Sequence, residues 1–221
     1  MTKEKLIIFD VNQTIFSLKK LNKIFIKIGL KKEHVEFWFH LILKEGFATS
    51  SLNIFVDFKT IAYNQLKYLF FKNKIKFYEN YFEQVVVGFG ELNAHDGVKS
   101  SFKLLKKNGF KIATLTNGPL QNSIKLLEKN NLYSFVDKCF SIEDVKAWKP
   151  HPSVYQNVIK FFKLHPNQGI MIACHGWDLF GARNVGLRTA YCKHYENEKM
   201  NYYNNFDFEE NSIIELVQKI V

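Results

Sequence analysis

Five short apolar runs recur along the chain, each closed by a turn signal: Leu6–Val11, Lys111–Thr116, Cys139–Ile142, Gly169–His175 and Thr189–Cys192. Between the later runs lie stretches with apolar residues at helical spacing: Val98–Lys107, Gln121–Lys129, Ser153–Phe162 and Leu179–Val185. Runs this short and this continuously apolar fit strands buried on both faces. Strands alternating with helices predict an α/β protein with a doubly wound, Rossmann-like parallel sheet.

The segment from Ile15 to Glu91 breaks the alternation. It holds no run that reads as a strand, and Phe37, Leu41, Phe55, Phe58, Ala62 and Leu66 recur at helical spacing. The pattern predicts a core domain made of residues 1–14 and 92–221 and an all-helical cap made of residues 15–91. Asn93-Ala94-His95-Asp96-Gly97 serves as the return linker. An insertion placed directly after the first strand sits over that strand's C-terminal end, where a cap excludes water and contributes specificity.

The candidate chemistry falls at the ends of the predicted strands. Phe9-Asp10-Val11-Asn12-Gln13-Thr14 delivers a carboxylate to the sheet edge where α/β proteins bind ligands. An aspartate there can act as a covalent nucleophile. Thr116-Asn117-Gly118 offers a hydroxyl and an amide at the start of the next helix, a place suited to anions. Lys149-Pro150-His151-Pro152 follows, with Tyr155 on the next helix, and then Ala173-Cys174-His175-Gly176-Trp177-Asp178. Each residue also has a plainer reading. Asp178 precedes a predicted helix and fits an N-cap, and Lys146 competes with Lys149. Trp38, Phe39 and Trp177 fit apolar packing, and Cys174 fits a structural thiol. His175 is either a pocket acid or base or a hydrogen-bonded strand-end histidine.

In that order, Asp10, Thr116, Lys149 and Asp178 resemble the four motifs of the haloacid dehalogenase superfamily, and the resemblance extends over essentially the whole chain. Within it the chain is similar to the type II (L-2-)haloacid dehalogenases. Their motifs read Asp-x-Tyr-Gly-Thr, Ser-Asn-Gly, and Trp-Asp followed by Gly-Ala. Here they stand as Asp10…Thr14, Thr116-Asn117-Gly118, and Trp177-Asp178 followed by Gly181-Ala182. A related branch of the superfamily, called dehalogenase-like, reads Phe-Asp-Val-Asn-x-Thr and Ala-x-His-x-Trp-Asp at these places, much as this chain does.

The resemblance implies a 2-haloacid dehalogenase that forms an ester on Asp10. Thr14 and Thr116 would donate hydroxyl hydrogen bonds, and Lys149 would hold Asp10 and Asp178. Asp178 would position or deprotonate the water. Asn12, Phe39, Asn117, Tyr155, His175 and Trp177 would line the substrate site. The family's cap arginine aligns with Phe39, and the cap contains no arginine; Lys44 or His175 could stand in for it. Asn12 cannot act as the proton donor that phosphatases of the superfamily place there. The fourth motif also lacks the extra carboxylate for Mg²⁺, so neither metal nor cofactor is expected. The alternatives are a phosphatase of the same fold, or an impaired protein that only binds small anions.

Composition narrows the partners. The net charge is +10, but only Arg183 and Arg188 among the 31 basic residues are arginines. Base-reading proteins depend on arginine forks, so no nucleic-acid partner is expected. No apolar run reaches the roughly 18–20 residues that span a bilayer, and Met1–Lys5 leads straight into a strand, so neither a membrane partner nor a secretory leader is expected. Cys139, Cys174 and Cys192 fit no zinc spacing and suit reduced thiols in the cytoplasm. The expected partners are a small haloacid and halide, with the aromatic-rich cap as a candidate homodimer face.

Overall fold

The computed structural model describes residues 6–203 and 205–221; the expectation attached to Met1–Lys5 lies outside them. At its centre is strand β1 (Leu6–Asp10), whose five residues are all buried. It is paired in parallel on one side with β4 (Lys111–Thr116) and on the other with β6 (Gly169–Ala173). Beyond β4 lies β5 (Lys138–Ser141); beyond β6 lie β7 (Arg188–Cys192) and β8 (Phe208–Glu210). The six-stranded order is β5-β4-β1-β6-β7-β8, and every pairing is parallel. The chain therefore builds outward from β1 twice, in opposite directions. That makes the C-terminal end of β1 the switch point where such sheets open a crevice for ligands.

The expected α/β architecture is observed, with five strands close to their predicted bounds. Helices α5 (Val98–Lys107), α6 (Leu120–Lys129), α7 (Pro152–Phe162) and α8 (Gly176–Asn184) connect them. α8 begins three residues before its predicted start. Asp178 therefore sits in the first turn rather than at the N-cap, which is His175. Two further elements close the chain, β8 and helix α9 (Ile213–Ile220), and α9 packs against α5.

Residues between β1 and α5 form α1 (Leu21–Lys27), α2 (His34–Ser51), α3 (Phe58–Lys72) and α4 (Glu79–Phe89). The expectation of no strand here needs one correction. Phe16–Ser17 (β2) pairs antiparallel with Asn93–Ala94 (β3). A two-residue ribbon carries too little alternation to stand out in sequence, and it forms because the exit and return of the segment run side by side.

Aromatic rings fill the interior of this segment. Trp38 lies 5.6 Å from Phe25 and 6.3 Å from Phe89, and its indole N–H donates to the Ala62 carbonyl. Trp148, from the core, reaches into the same cluster. Its ring stacks against Phe58 at 6.1 Å and its Nε1 donates to the Val56 carbonyl at 2.8 Å. Under that ring is Gly46 on α2, where a Cβ would fall 2.3 Å from the indole, closer than any packed side chain allows. Trp148 precedes Lys149, so packing of the helical segment fixes the backbone that presents the lysine. Among the described residues no helix is long and apolar enough to cross a membrane.

Candidate active site

β1 ends at Asp10, and the chain then turns sharply. Gln13 adopts φ of 64°, an unfavourable region for a residue with a Cβ. Two imidazoles hold this turn: His95 and His194 both donate through Nε2 to the Gln13 carbonyl, at 2.9 and 2.8 Å. Their rings are 4.4 Å apart, so two positive charges there would repel. Burial and the neighbouring His194 push His95 down to about 4. Burial opposes the proton on His194, but Cys174 and Cys192 outweigh it and bring the group up to about 10. The pair thus carries one charge at neutral pH. The turn brings Thr14 back under Asp10, where its hydroxyl donates to Asp10 Oδ2 at 2.6 Å and accepts from the Cys174 backbone N–H at 3.0 Å.

Lys149 is fully buried, and its ammonium uses all three protons. It donates to Asp10 Oδ1 at 2.7 Å, to Asp178 Oδ2 at 2.6 Å and to the Leu115 carbonyl at 3.1 Å. Burial alone would strip its proton, but the two carboxylates hold its pKa above the ordinary value. Burial likewise opposes charge on Asp10, and Lys149, His175 and Thr14 overcome it, leaving the carboxyl below its ordinary value. Asp178 is pushed up by burial and by Asp10, against Lys149 and Tyr155. Tyr155 donates to Asp178 Oδ1 at 2.6 Å, and burial together with that carboxylate keeps the phenol protonated. The result is an ionised Asp10 and a wholly enclosed Asp178, bridged by one cation.

Thr116 and Asn117 leave β4 beside this group. The Thr116 hydroxyl accepts from the Gly118 N–H at 2.9 Å, and Asn117 Oδ1 accepts from the Lys149 N–H at 2.9 Å. Asn117 Nδ2 is buried and has no partner. Asn12 reaches the same turn, with its Nδ2 3.7 Å from where a Gly118 Cβ would stand. His175 is buried with its Nε2 unpartnered, 4.0 Å from Asp10 Oδ2. Trp177 stacks on it at 5.5 Å, and the Lys149 ammonium lies 5.8 Å from the centre of the Trp177 ring.

The structure therefore gathers Asp10, Thr14, Lys149, Asp178, Tyr155, His175 and Trp177, with Asn12, Thr116 and Asn117 in the adjoining turn. Phe39 is buried in the hydrophobic core. Lys44, the lysine considered in place of the cap arginine, is exposed and paired with Glu45; Lys146 is exposed and lies over Phe55, so it does not take the place of Lys149. Sequence reasoning missed Glu196, which faces His175 Nδ1 at 3.6 Å. It lies in a loop without motif or periodicity, and only the fold brings it near. The three cysteines are free and buried.

The donors around Asp10 do not suit Mg²⁺, the ion that the phosphatase alternative would call for. Asp10, Cys174 and His175 offer atoms within 4.8 Å of one another. A sulfur and an imidazole are soft partners for a hard ion that takes oxygen. Asp178 is held through its two oxygens by Lys149 and Tyr155.

Residues 7–192 match the family of haloacid dehalogenase-like hydrolases. The chain is 29% identical over 108 residues to (S)-2-haloacid dehalogenase 4A of Burkholderia cepacia, covering 49% of this chain and 47% of that protein. It is 27% identical over 121 residues to the pyrophosphatase PpaX of Bacillus cereus, covering 51% and 56%. These matches span about half the length of each relative. In fold it is similar to the L-2-haloacid dehalogenase of Xanthobacter autotrophicus, with a TM-score of 0.89 at 17% identity over 98% of both chains. On this family match, over most of its length, the chain belongs to the haloacid dehalogenase-like hydrolases.

Proposed function

We propose that this protein is a hydrolase that cleaves the carbon–halogen bond of short 2-haloalkanoic acids, through an ester formed on Asp10. The single observation that carries the reading is the Asp10–Lys149–Asp178 bridge, which holds an ionised nucleophile with no proton donor at position 12. A halide needs no protonation to leave, whereas a poor leaving group does. Asp10 attacks the halogen-bearing carbon; the carbon–halogen bond breaks and halide departs with the bonding pair. Water then adds to the ester carbonyl of Asp10 and the alcohol oxygen leaves as a 2-hydroxy acid. Asp178 receives the water proton, Lys149 steadies both carboxylates, and each turnover releases one proton and one halide. Asn117 Nδ2, a buried donor without a partner, suits the departing anion. Residues 15–91 would act as the cap that keeps bulk water from this step.

The pyrophosphatase relative supports a second reading, Mg²⁺-dependent hydrolysis of a phosphate ester. One paired assay separates them: halide release from chloroacetate, bromoacetate and both enantiomers of 2-chloropropionate with EDTA, against release of phosphate from a generic ester with Mg²⁺. Halide release that survives EDTA is expected. Phosphate release that requires Mg²⁺, without halide release, would overturn the proposal.

A further inference from the structure

Asp10, Cys174 and His175 form a group of which the proposed reaction uses only the carboxylate. One ligand atom from each residue lies within 4.8 Å of the other two, and all three residues are buried. His175 Nε2 faces Asp10 Oδ2 at 4.0 Å and has no hydrogen-bond partner. A buried ring nitrogen without a partner requires an explanation. The end of β6 creates the group. The strand stops at Ala173, Cys174 follows, and His175 is already the N-cap of α8. Neighbouring residues that would point to opposite faces of a continuing strand can here face the same nucleophile.

The donor set selects the ion. A thiolate, an imidazole and a carboxylate together suit zinc and its soft relatives, whereas Mg²⁺ takes oxygen. Zinc holds sulfur at about 2.3 Å and nitrogen or oxygen at about 2.0–2.2 Å, which puts tetrahedral ligands roughly 3.5 Å apart. The 4.0 Å between Asp10 Oδ2 and His175 Nε2 is close to that spacing. The surroundings support each ligand. Glu196 Oε1 lies 3.6 Å from His175 Nδ1, the place of the carboxylate that orients a zinc-bound histidine. Glu196 Oε2 in turn accepts from the Gly176 N–H at 2.9 Å and from the Tyr191 hydroxyl at 3.2 Å. The Thr14 hydroxyl donates to Asp10 Oδ2 at 2.6 Å and lies 3.3 Å from Cys174 Sγ. Lys149, on Asp10 Oδ1, opposes a cation, but Asp178 shares its charge and Glu196 adds a negative charge at the other end of the imidazole.

We propose that Asp10, Cys174 and His175 form a binding site for a soft divalent ion of the zinc class, with Glu196 as the positioning residue behind His175, and that the bound ion inhibits the enzyme. Coordination replaces the thiol proton and leaves the ring protonated only at Nδ1, toward Glu196. The ion draws charge from the Asp10 carboxylate, whichever oxygen attacks, and fills the space beside it. It blocks the nucleophile and takes no part in the reaction, which therefore proceeds in EDTA. The binding site stands without the dehalogenase reading; only the inhibition of halide release rests on it.

Equilibrium dialysis of the full chain against zinc chloride tests the binding, with cadmium chloride in parallel to read the thiolate-to-metal absorption band in the ultraviolet. Thermal melts confirm that each variant is folded. Wild type is expected to retain zinc in excess Mg²⁺ and to show the band with cadmium. Glu196→Gln is expected to weaken zinc binding about 10–100-fold, the cost of removing a partner of this kind. Cys174→Ser is expected to weaken it further and to abolish the band. Cys192→Ser is the control, because that thiol lies 2.8 Å from His194 Nδ1 and offers a soft pair of its own; it is expected to bind as wild type does. No uptake by wild type, a band that survives in Cys174→Ser, or a band lost in Cys192→Ser instead would each overturn the site. Unchanged zinc affinity in Glu196→Gln would remove Glu196 from its role. Halide release is then compared with and without zinc in each protein, so that only the ratio of the two rates is read. Zinc is expected to stop release in wild type, EDTA to restore it, and Cys174→Ser to resist. Bound zinc that leaves halide release unchanged would overturn the inhibition. If zinc binds through Cys174 and no haloacid yields halide, the dehalogenase reading falls and the site stands.

Discussion

Lys149→Met is expected to lower the melting temperature by on the order of 10 °C at neutral pH, with a stability loss of about 3–5 kcal/mol. The ammonium is fully buried and is the shared partner of Asp10 and Asp178. Methionine keeps the length of the chain but leaves two carboxylates in a dry site without a cation. Breaking a buried pair from one side costs more than the pair itself contributes. The pH dependence follows from the sign of the Asp10 shift. In wild type Asp10 lies below its ordinary value of 3.8, so its contribution is present above that value and lost as pH falls through the lower one. In the variant burial acts unopposed by Lys149 and raises both carboxyls. The stability gap is therefore largest at neutral pH and narrows as the medium is acidified, because protonation removes the stranded charges. A thermal-melt series against pH checks this. A gap that is constant with pH would mean that lost packing, rather than lost charge pairing, sets the stability of Lys149.

The second large effect is on chemistry. Asp10→Asn removes the nucleophile and is expected to lower halide release by on the order of 10⁴-fold or more, the scale seen when a covalent catalyst is deleted. The substitution is nearly isosteric: Lys149 can still donate to the amide oxygen, while the Thr14 hydroxyl, which donates to the other oxygen in wild type, can turn to accept from the new amide N–H. The fold should therefore persist, and near-ultraviolet circular dichroism that matches wild type would separate lost chemistry from lost structure. Halide release within ten-fold of wild type, judged against that scale, would remove Asp10 from the nucleophile's role.

Much of this was legible because the strands are buried on both faces. Leu6–Asp10 and Gly169–Ala173 have no polar alternation, so the runs themselves marked the central strands. Asp10 and Thr116 sit where strand runs stop and Asp178 in the first turn of the helix after β6, whereas Lys149 comes from the loop beyond β5. Tyr155 was expected only to line the pocket, yet its hydroxyl is bonded to Asp178, a contact set by the packing of α7 against α8. Three features were not legible. β8 and α9 form an edge strand and a terminal helix whose short pattern is decided by packing on β7 and α5. The ribbon Phe16–Ser17 with Asn93–Ala94 pairs residues far apart in sequence. Glu196 and Trp148 act through contacts that only the tertiary fold creates, one on His175 and one against Gly46 and Phe58. Local periodicity contains no information about such contacts.

In the proposed reaction Asp10 carries the substrate as an ester, and water attacks the carbonyl of that ester rather than the substrate carbon. A single turnover with enzyme in excess, run in water enriched in heavy oxygen and followed by mass spectrometry of the peptide containing Asp10, tests it most directly. Heavy oxygen is expected in the Asp10 carboxylate and ordinary oxygen in the hydroxyl of the first-turnover 2-hydroxy acid. Heavy oxygen in the product hydroxyl, with an unlabelled Asp10 peptide, would contradict it.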